Sequence, residues 1–417
     1  MTAPEAGAEH ELEVVEAARG RIEQVRRGDA RLWVADAGGR AVPQARVQVS
    51  MRRHRFLFGC NFFAHNAFEG VDQNREYDRR FADLFNMAVV PVYWRRFEKV
   101  RGRPDYDHLD EMVDWGLRHH LVMKAHPLVW LAPWPDKPGI PEWLPVDDEK
   151  SVLAAIRDRI ADLVTRYRGK ITLYDVVNEP VCGKPEMLKK TPLHDYVSLP
   201  LAWTRQADPA ATLLVNDFYV LHDGRQEYRR FLADLVEWTA PVDGIGIQAH
   251  EPRTERFPLD RVERILDDYA QLGLPLHITE FTPTSGGQPI TGSWKSGQWD
   301  EAEQAEYVER FYTVVFSHPA VVSINFWDLC ESRAWLEGGG LLRKDLSPKP
   351  AYDALLRLVR REWWTDLSDT TDTHGHCAFN GFFGTYHVTA KWSSGRTAEG
   401  DFELVPGGDN TWTLTAG

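Results

Sequence analysis

Between residues 55 and 363 the chain repeats one unit: a short apolar run, a polar loop, then a longer amphipathic stretch. The apolar runs are RFLFGCNFF (55–63), NMAVVPVYW (86–94), LVMKAHPLVW (121–130), KITLYDVVN (170–178), ATLLVND (211–217), VDGIGIQAH (242–250), LPLHITEF (274–281) and VVSINFW (321–327). Helical periodicity covers 106–120, 149–167, 225–239, 259–273, 302–318 and 351–363. Strands that read almost wholly apolar are buried on both faces, as in a parallel sheet covered by helices. Eight such units predict an α/β fold of the closed (β/α)8 type, a TIM barrel, rather than an open doubly wound sheet.

Both ends break this pattern. Residues 1–28 read as a charged helix or arm, while RLWVAD and ARVQVS, around Gly38-Gly39, alternate apolar and polar positions and predict a β hairpin. After Trp364 short strands return in GFFGTYHVTAKW, EGDFELV and TWTLTAG. The expected organisation is an N-terminal arm and hairpin over 1–54, a barrel over 55–364 and a small β segment over 365–417. The two terminal parts are expected to combine into one β appendage.

With 43% hydrophobic residues the chain can bury a sizeable core. Its 62 acidic against 49 basic side chains leave a net charge of −13, which argues against a nucleic-acid partner. No stretch approaches the roughly 18 uninterrupted apolar residues of a spanning helix, so no membrane partner is expected. The first twenty residues carry Glu5, Glu9, Glu11, Glu13 and Glu16 and lack the apolar centre of a secretory signal. As written, the chain is expected in the cytoplasm, or outside the cell if a leader has been removed. Cys60, Cys182, Cys330 and Cys377 lie far apart, which disfavours a disulfide framework or a structural zinc. His374, His376 and Cys377 have the chemistry of metal ligands, but their Gly/Thr/Asp-rich surroundings read as a surface loop. Sixteen Trp residues are a surplus that serves a core, an interface or a sugar-stacking platform, and composition does not choose among them.

Active sites of such barrels lie at the C-terminal ends of the strands. Polar residues gather there: His126 and Trp130 in the third unit, Asn178-Glu179-Pro180 in the fourth, Asn216-Asp217 in the fifth, Gln248 and His250 in the sixth, Glu280 in the seventh and Trp327 in the eighth. A single Glu at a strand end is ordinarily a solvated loop residue or a helix cap. Two of them across a barrel mouth, among amides, histidines and aromatics, suit double-displacement cleavage of a glycoside. Gly244-x-Gly246-x-x-Ala249 nominally fits a dinucleotide fingerprint, but it lies inside a strand and is followed by His-Glu-Pro-Arg instead of a helix.

Tyr174-Asp175-Val176-Val177-Asn178-Glu179-Pro180 resembles the acid/base motif of glycoside hydrolase family 10, the retaining β-xylanase family, and His277-Ile278-Thr279-Glu280-Phe281 resembles its nucleophile motif. The segments 244–250, 126–130 (HPLVW), 216–218, and Trp327 and Trp335 with 348–352, are similar to other signatures of that family, in the same order. The resemblance implies Glu179 as acid/base and Glu280 as nucleophile. It further implies Asn178 on the substrate's 2-hydroxyl, His250 on the nucleophile, and Gln248, His126 and Trp130 around the cleaved sugar. Asn216 would join them in binding substrate, and Trp327 and Trp335 would stack on sugar faces unless they are core residues. No metal or organic cofactor is implied, and the expected partner is a β-linked oligo- or polysaccharide.

Two stretches depart from the family. Where it has a Glu-Asn pair and a Lys on the non-reducing side, this chain has Pro91-Val92-Tyr93-Trp94-Arg95-Arg96, so stacking and a cationic fork are expected from Tyr93, Trp94 and Arg96. After Trp130 it has Leu131-Ala132-Pro133-Trp134 in place of a His and a Gln. The expected activity is endo-1,4-β-xylanase-like, the alternative being a β-glycosidase for a short or decorated oligosaccharide or glycoconjugate. A sugar-binding pseudoenzyme is disfavoured because Glu179, Glu280, Asn178 and His250 are all retained.

Overall fold

The computed structural model describes residues 3–131, 139–182, 185–253, 255–393 and 395–415. Strands β1 (Arg27–Ala35) and β2 (Arg46–His54) precede a barrel of eight: β3 (Leu57–Asn61), β4 (Met87–Pro91), β5 (Val122–His126), β6 (Ile171–Asn178), β7 (Thr212–Asp217), β8 (Gly244–Ala249), β9 (Leu276–Phe281) and β10 (Val321–Phe326). Then follow β11 (Asp328–Cys330), β12 (Gly340–Leu342), β13 (Asp366–Thr370), β14 (His376–Phe382), β15 (Gly384–Lys391), β16 (Thr397–Leu404) and β17 (Thr411–Thr415).

Strands β3 to β10 pair in chain order, all parallel, and β10 closes the ring on β3 through Phe326 opposite Cys60. Every residue of β8 and β9 is buried, one face in the barrel interior and the other under helices. The helices follow from periodicity. Leu259–Ala270 buries Leu259, Val262, Ile265, Leu266 and Tyr269, one stripe along its length. Asp148 and Asp300 cap Glu149–Arg166 and Glu301–Ser317, accepting from the Lys150 and Glu303 amides. Two outer helices, Val71–Leu84 and Leu193–Ala207, lie outside the stretches that periodicity marks, and the second contains Pro200, a residue that ordinarily interrupts a helix.

The terminal segments form two facing sheets, β14-β1-β17 and β13-β2-β15-β16. This corrects the expected hairpin: β1 and β2 are strands, but they do not pair with each other. Each has one apolar face, Leu32 and Val34 on β1 and Val47 and Val49 on β2. Placing the strands in opposite sheets buries both faces in one core, while the C-terminal strands supply the hydrogen-bonding edges. Trp412 of β17 stacks on Phe402 of β16 (centroids 4.8 Å apart) and meets Tyr386 of β15 at 5.9 Å, filling the space between the sheets.

The N-terminal helix, Ala3–Val25, lies on the outer helices of the barrel, burying Val15, Ala18 and Ile22. Its Glu11 accepts from the buried Arg256 guanidinium at 2.6 and 2.8 Å, from Arg310 at 2.6 Å and from Trp294 Nε1 at 2.8 Å. At the other end His376 and Cys377 open β14, with Cys377 buried, so the expected surface loop is a strand edge there. Among the described residues no group of three or more His, Cys, Asp or Glu is placed to hold a metal, and no helix is long and apolar enough to cross a membrane.

Candidate active site

The C-terminal ends of the barrel strands open into a cleft of about 910 Å³. Its wall carries Trp130, Glu179, Gln248, His250, Glu280, Trp327 and Trp335. His126, Asn178 and Asn216 stand behind that wall, buried and bonded to one another's neighbours instead of facing the space directly.

Glu280 sits on β9 opposite Gln248 of β8. Its Oε1 accepts from Asn216 Nδ2 at 2.7 Å, and its Oε2 lies 2.9 Å from His250 Nε2. The other His250 nitrogen is 2.8 Å from Thr282 Oγ1, which sets the ring's plane. Asn216 is held in turn by Thr279, whose hydroxyl donates to Asn216 Oδ1 at 2.6 Å. Gly246 is required beneath it, since a Cβ there would come within 2.5 Å of the same Oδ1. Behind Glu280, His126 Nε2 lies 3.8 Å from Oε1, and its Nδ1 lies 2.7 Å from Asp175, which also pairs with Lys124 at 2.8 Å. Burial pushes the Glu280 carboxyl up, but the His126 and His250 rings overcome that push and hold it below the usual glutamate range.

Glu179 follows directly on β6, in the left-handed region at φ 55°. The next residue, Pro180, disfavours right-handed helical backbone at Glu179, and the left-handed conformation carries strain of order 1–3 kcal/mol. The surroundings hold it. The Glu179 amide donates to Asn216 O at 2.7 Å, Trp130 Nε1 donates to Oε2 at 2.8 Å, and Gln248 Nε2 donates to Oε1 at 3.2 Å. Register shifts just before Asn178 and Gln248 re-aim these strand ends.

The aromatic wall has two parts. Trp327 is buried, edge-on to His126 (5.3 Å) and His250 (5.6 Å). Trp335 is 56% exposed with its ring 4.6 Å from that of His250, so it offers an open face. Asp328 fixes the approach to Trp335 by accepting from its amide at 2.9 Å and from Asn61 Nδ2 at 3.1 Å, and burial pushes its carboxyl up to about 6. The Trp surplus otherwise goes mainly to packing: Trp94, Trp115, Trp299, Trp363 and Trp412 are buried.

Residues 52–358, more than half of the chain, match the profile of glycosyl hydrolase family 10. The chain belongs to that family. It is 25% identical to endo-1,4-β-xylanase B of Thermotoga neapolitana over 345 residues, 79% of this chain and 95% of that enzyme. It is 27% identical to endo-1,4-β-xylanase 2 of Arabidopsis thaliana over 382 residues, which is 89% of this chain but 33% of the plant protein. Among solved structures, xylanase 10B from Thermotoga petrophila RKU-1 in complex with xylobiose superposes with a TM-score of 0.61 at 24% identity, covering 74% of this chain and 95% of that one.

As a family 10 member the chain is an O-glycosyl hydrolase of the retaining, double-displacement type. Its strand-two wall differs from the sequence expectation in one part. Tyr93 and Arg96 line the cleft, but Trp94 is buried behind it, its Nε1 donating to Glu98 at 2.8 Å and its ring 5.7 Å from that of Trp143. Trp94 buttresses the loop and offers no stacking face. Ala132-Pro133-Trp134 lie outside the described residues.

Several site residues escaped the sequence reading. Lys124 and Asp175 orient His126, and Thr279 and Thr282 orient Asn216 and His250. Opposite charges inside two adjacent, otherwise apolar strands were the available signal for the first pair. Glu251 lies on the cleft wall with neither carboxylate oxygen hydrogen-bonded, and burial pushes it up to about 7.

Proposed function

We propose that this glycoside hydrolase cleaves β-1,4-linked xylose chains or a closely related β-linked glycan, with Glu280 as nucleophile and Glu179 as general acid and base. The observation that carries the assignment is the asymmetry of the two carboxyls. Glu280 is buried among His126, His250 and Asn216, groups that favour its ionised form. Glu179 accepts from the neutral donors Trp130 and Gln248. Two carboxyl groups in one small site favour one ionised and one protonated member.

In the first step a Glu280 oxygen attacks the anomeric carbon as Glu179 passes its proton to the leaving oxygen. In the second, Glu179 takes a proton from water, which displaces Glu280 and restores the starting configuration. Asn178, implicated by resemblance in holding the 2-hydroxyl, has its Oδ1 occupied by Asn216 at 2.7 Å and Gln248 at 3.4 Å. Those bonds fix the orientation of the Asn178 amide behind the cleft wall. Trp335 supplies a stacking platform.

Tyr93 and Arg96 at the glycone flank favour a second shade of this reading, a preference for short or decorated glycans over plain xylan. Mass spectrometry of the products from a panel of β-linked oligosaccharides and aryl glycosides tests both. Cleavage of xylose-containing members, with unbranched xylan at least about tenfold slower in kcat/KM, is the expected result. Efficient release of xylobiose and xylotriose from linear xylan overturns the preference, and failure on every xyloside overturns the substrate assignment.

A further inference from the structure

The cleft does not stop at Tyr93. Its lining also includes Arg96 and the exposed Asp105 and His108, with the buried Leu109 and Met112 of the helix Tyr106–Arg118 beneath them. Two guanidinium groups stand along this extension. Arg96 follows β4 and is exposed; its amide donates to Tyr93 O at 3.0 Å, while its guanidinium has no hydrogen bond or ion pair among the described residues. Arg333 lies just after β11, in the connection that leaves the barrel at β10, and donates to the Ala67 carbonyl, forming no salt bridge there. Strands β4 and β10 both neighbour β3 in the closed ring, so the two loops rise on the same flank of the mouth.

Negative charge on this flank is limited. Val92 and Tyr93 carry none, and Asp328 is engaged by Asn61 and the Trp335 amide. Asp105 is the exposed carboxylate on the same wall, at its far end beside His108. Neutral sugar hydroxyls are served as well by amides and phenols. Guanidinium groups match a planar carboxylate, and Arg96 offers its full fork while Arg333 keeps donors beyond the one given to Ala67. In a chain of net charge −13, two such groups beside an open recess are a specific feature of this cleft.

We propose that the glycone flank holds a sugar branch bearing a carboxylate, gripped by Arg96 and Arg333. The inference rests on the glycosidase reading above and names the class of decoration that site takes: a uronic acid substituent.

The test uses the full chain and two substrates: a β-1,4-xylo-oligosaccharide with one uronic acid branch, and the same compound with its carboxyl reduced to a primary alcohol. The acid is expected to have a kcat/KM about tenfold or more above its reduced partner at low ionic strength, with the gap narrowing as salt rises. Arg96→Met and Arg333→Met, checked for folding by thermal unfolding, should each shrink that ratio, and the double variant should bring it near one. Equal turnover of the two compounds by the unaltered chain overturns the inference while leaving the glycosidase reading intact. Failure on both, and on unbranched xylo-oligosaccharides and aryl xylosides as well, overturns the reading and the inference together.

Discussion

Asn216 donates from one nitrogen to Glu280 Oε1 at 2.7 Å, and that same nitrogen lies 2.7 Å from Asn178 Oδ1. An amide from the fifth barrel strand thus ties the seventh strand's carboxylate to the residue preceding Glu179 on the fourth. Asn216 therefore links the Glu280 carboxylate to the backbone segment that carries Glu179, whose amide donates to the Asn216 carbonyl. It is itself wedged against Gly246 and held by Thr279.

Replacing Asn216 with Ala removes a hydrogen bond to a charged group, worth roughly 1.5–3 kcal/mol, and leaves the Thr279 hydroxyl unpaired. The expected outcome is a fall in kcat of about 10- to 150-fold on an aryl glycoside. Steady-state kinetics with folding monitored by circular dichroism would check it, and an unchanged kcat would remove Asn216 from the positioning of Glu280.

Glu280→Ala should abolish turnover of every substrate, because no glycosyl-enzyme forms. Glu179→Ala should retain the first step with good leaving groups, which need little protonation, and azide should then accelerate the second. Equal loss of both variants on activated and natural substrates, without azide rescue, contradicts the roles assigned.

The acid limb of kcat/KM is expected to lie below the ordinary glutamate range, because Glu280 stays ionised there. His250→Gln removes one of the two rings that oppose the burial of Glu280, so ionisation becomes harder and the limb should move to higher pH. Such limbs belong to the coupled pair of carboxyls. A pH profile of the variant that overlays the parent's would show that His250 does not hold the charge.

Glu11 links the N-terminal helix to the barrel, and its carboxyl is lowered to about 2: burial pushes it up, and Arg256, Arg310 and Trp294 overcome that. A folded value below the unfolded one contributes stability above about pH 4.5, lost as the pH falls towards 2. Glu11→Gln is expected to cost about 3 kcal/mol near neutrality and progressively less in acid. Urea unfolding at pH 7 and pH 3 reads the difference, and a cost that does not shrink in acid speaks against the ionic origin.

The sequence by itself determined the barrel and the candidate carboxylates. Runs that are apolar on both faces have a stable home only inside a helix-covered parallel sheet, and eight of them in alternation close into a ring. Glu179 and Glu280 were legible because polar side chains at the ends of such strands have one place to go, the open mouth. Tertiary structure alone decided what depends on which surfaces meet. The alternation in β1 and β2 records that each has a buried face, but a buried face does not name its hydrogen-bonding partner, and the partners lie more than 300 residues away. Trp94 and Trp335 are equally apolar in sequence, yet one packs under a loop and the other lies open beside His250. The second layer of the site, Lys124, Asp175, Thr279 and Thr282, consists of residues whose role exists only once neighbouring strands bring their side chains within hydrogen-bonding distance.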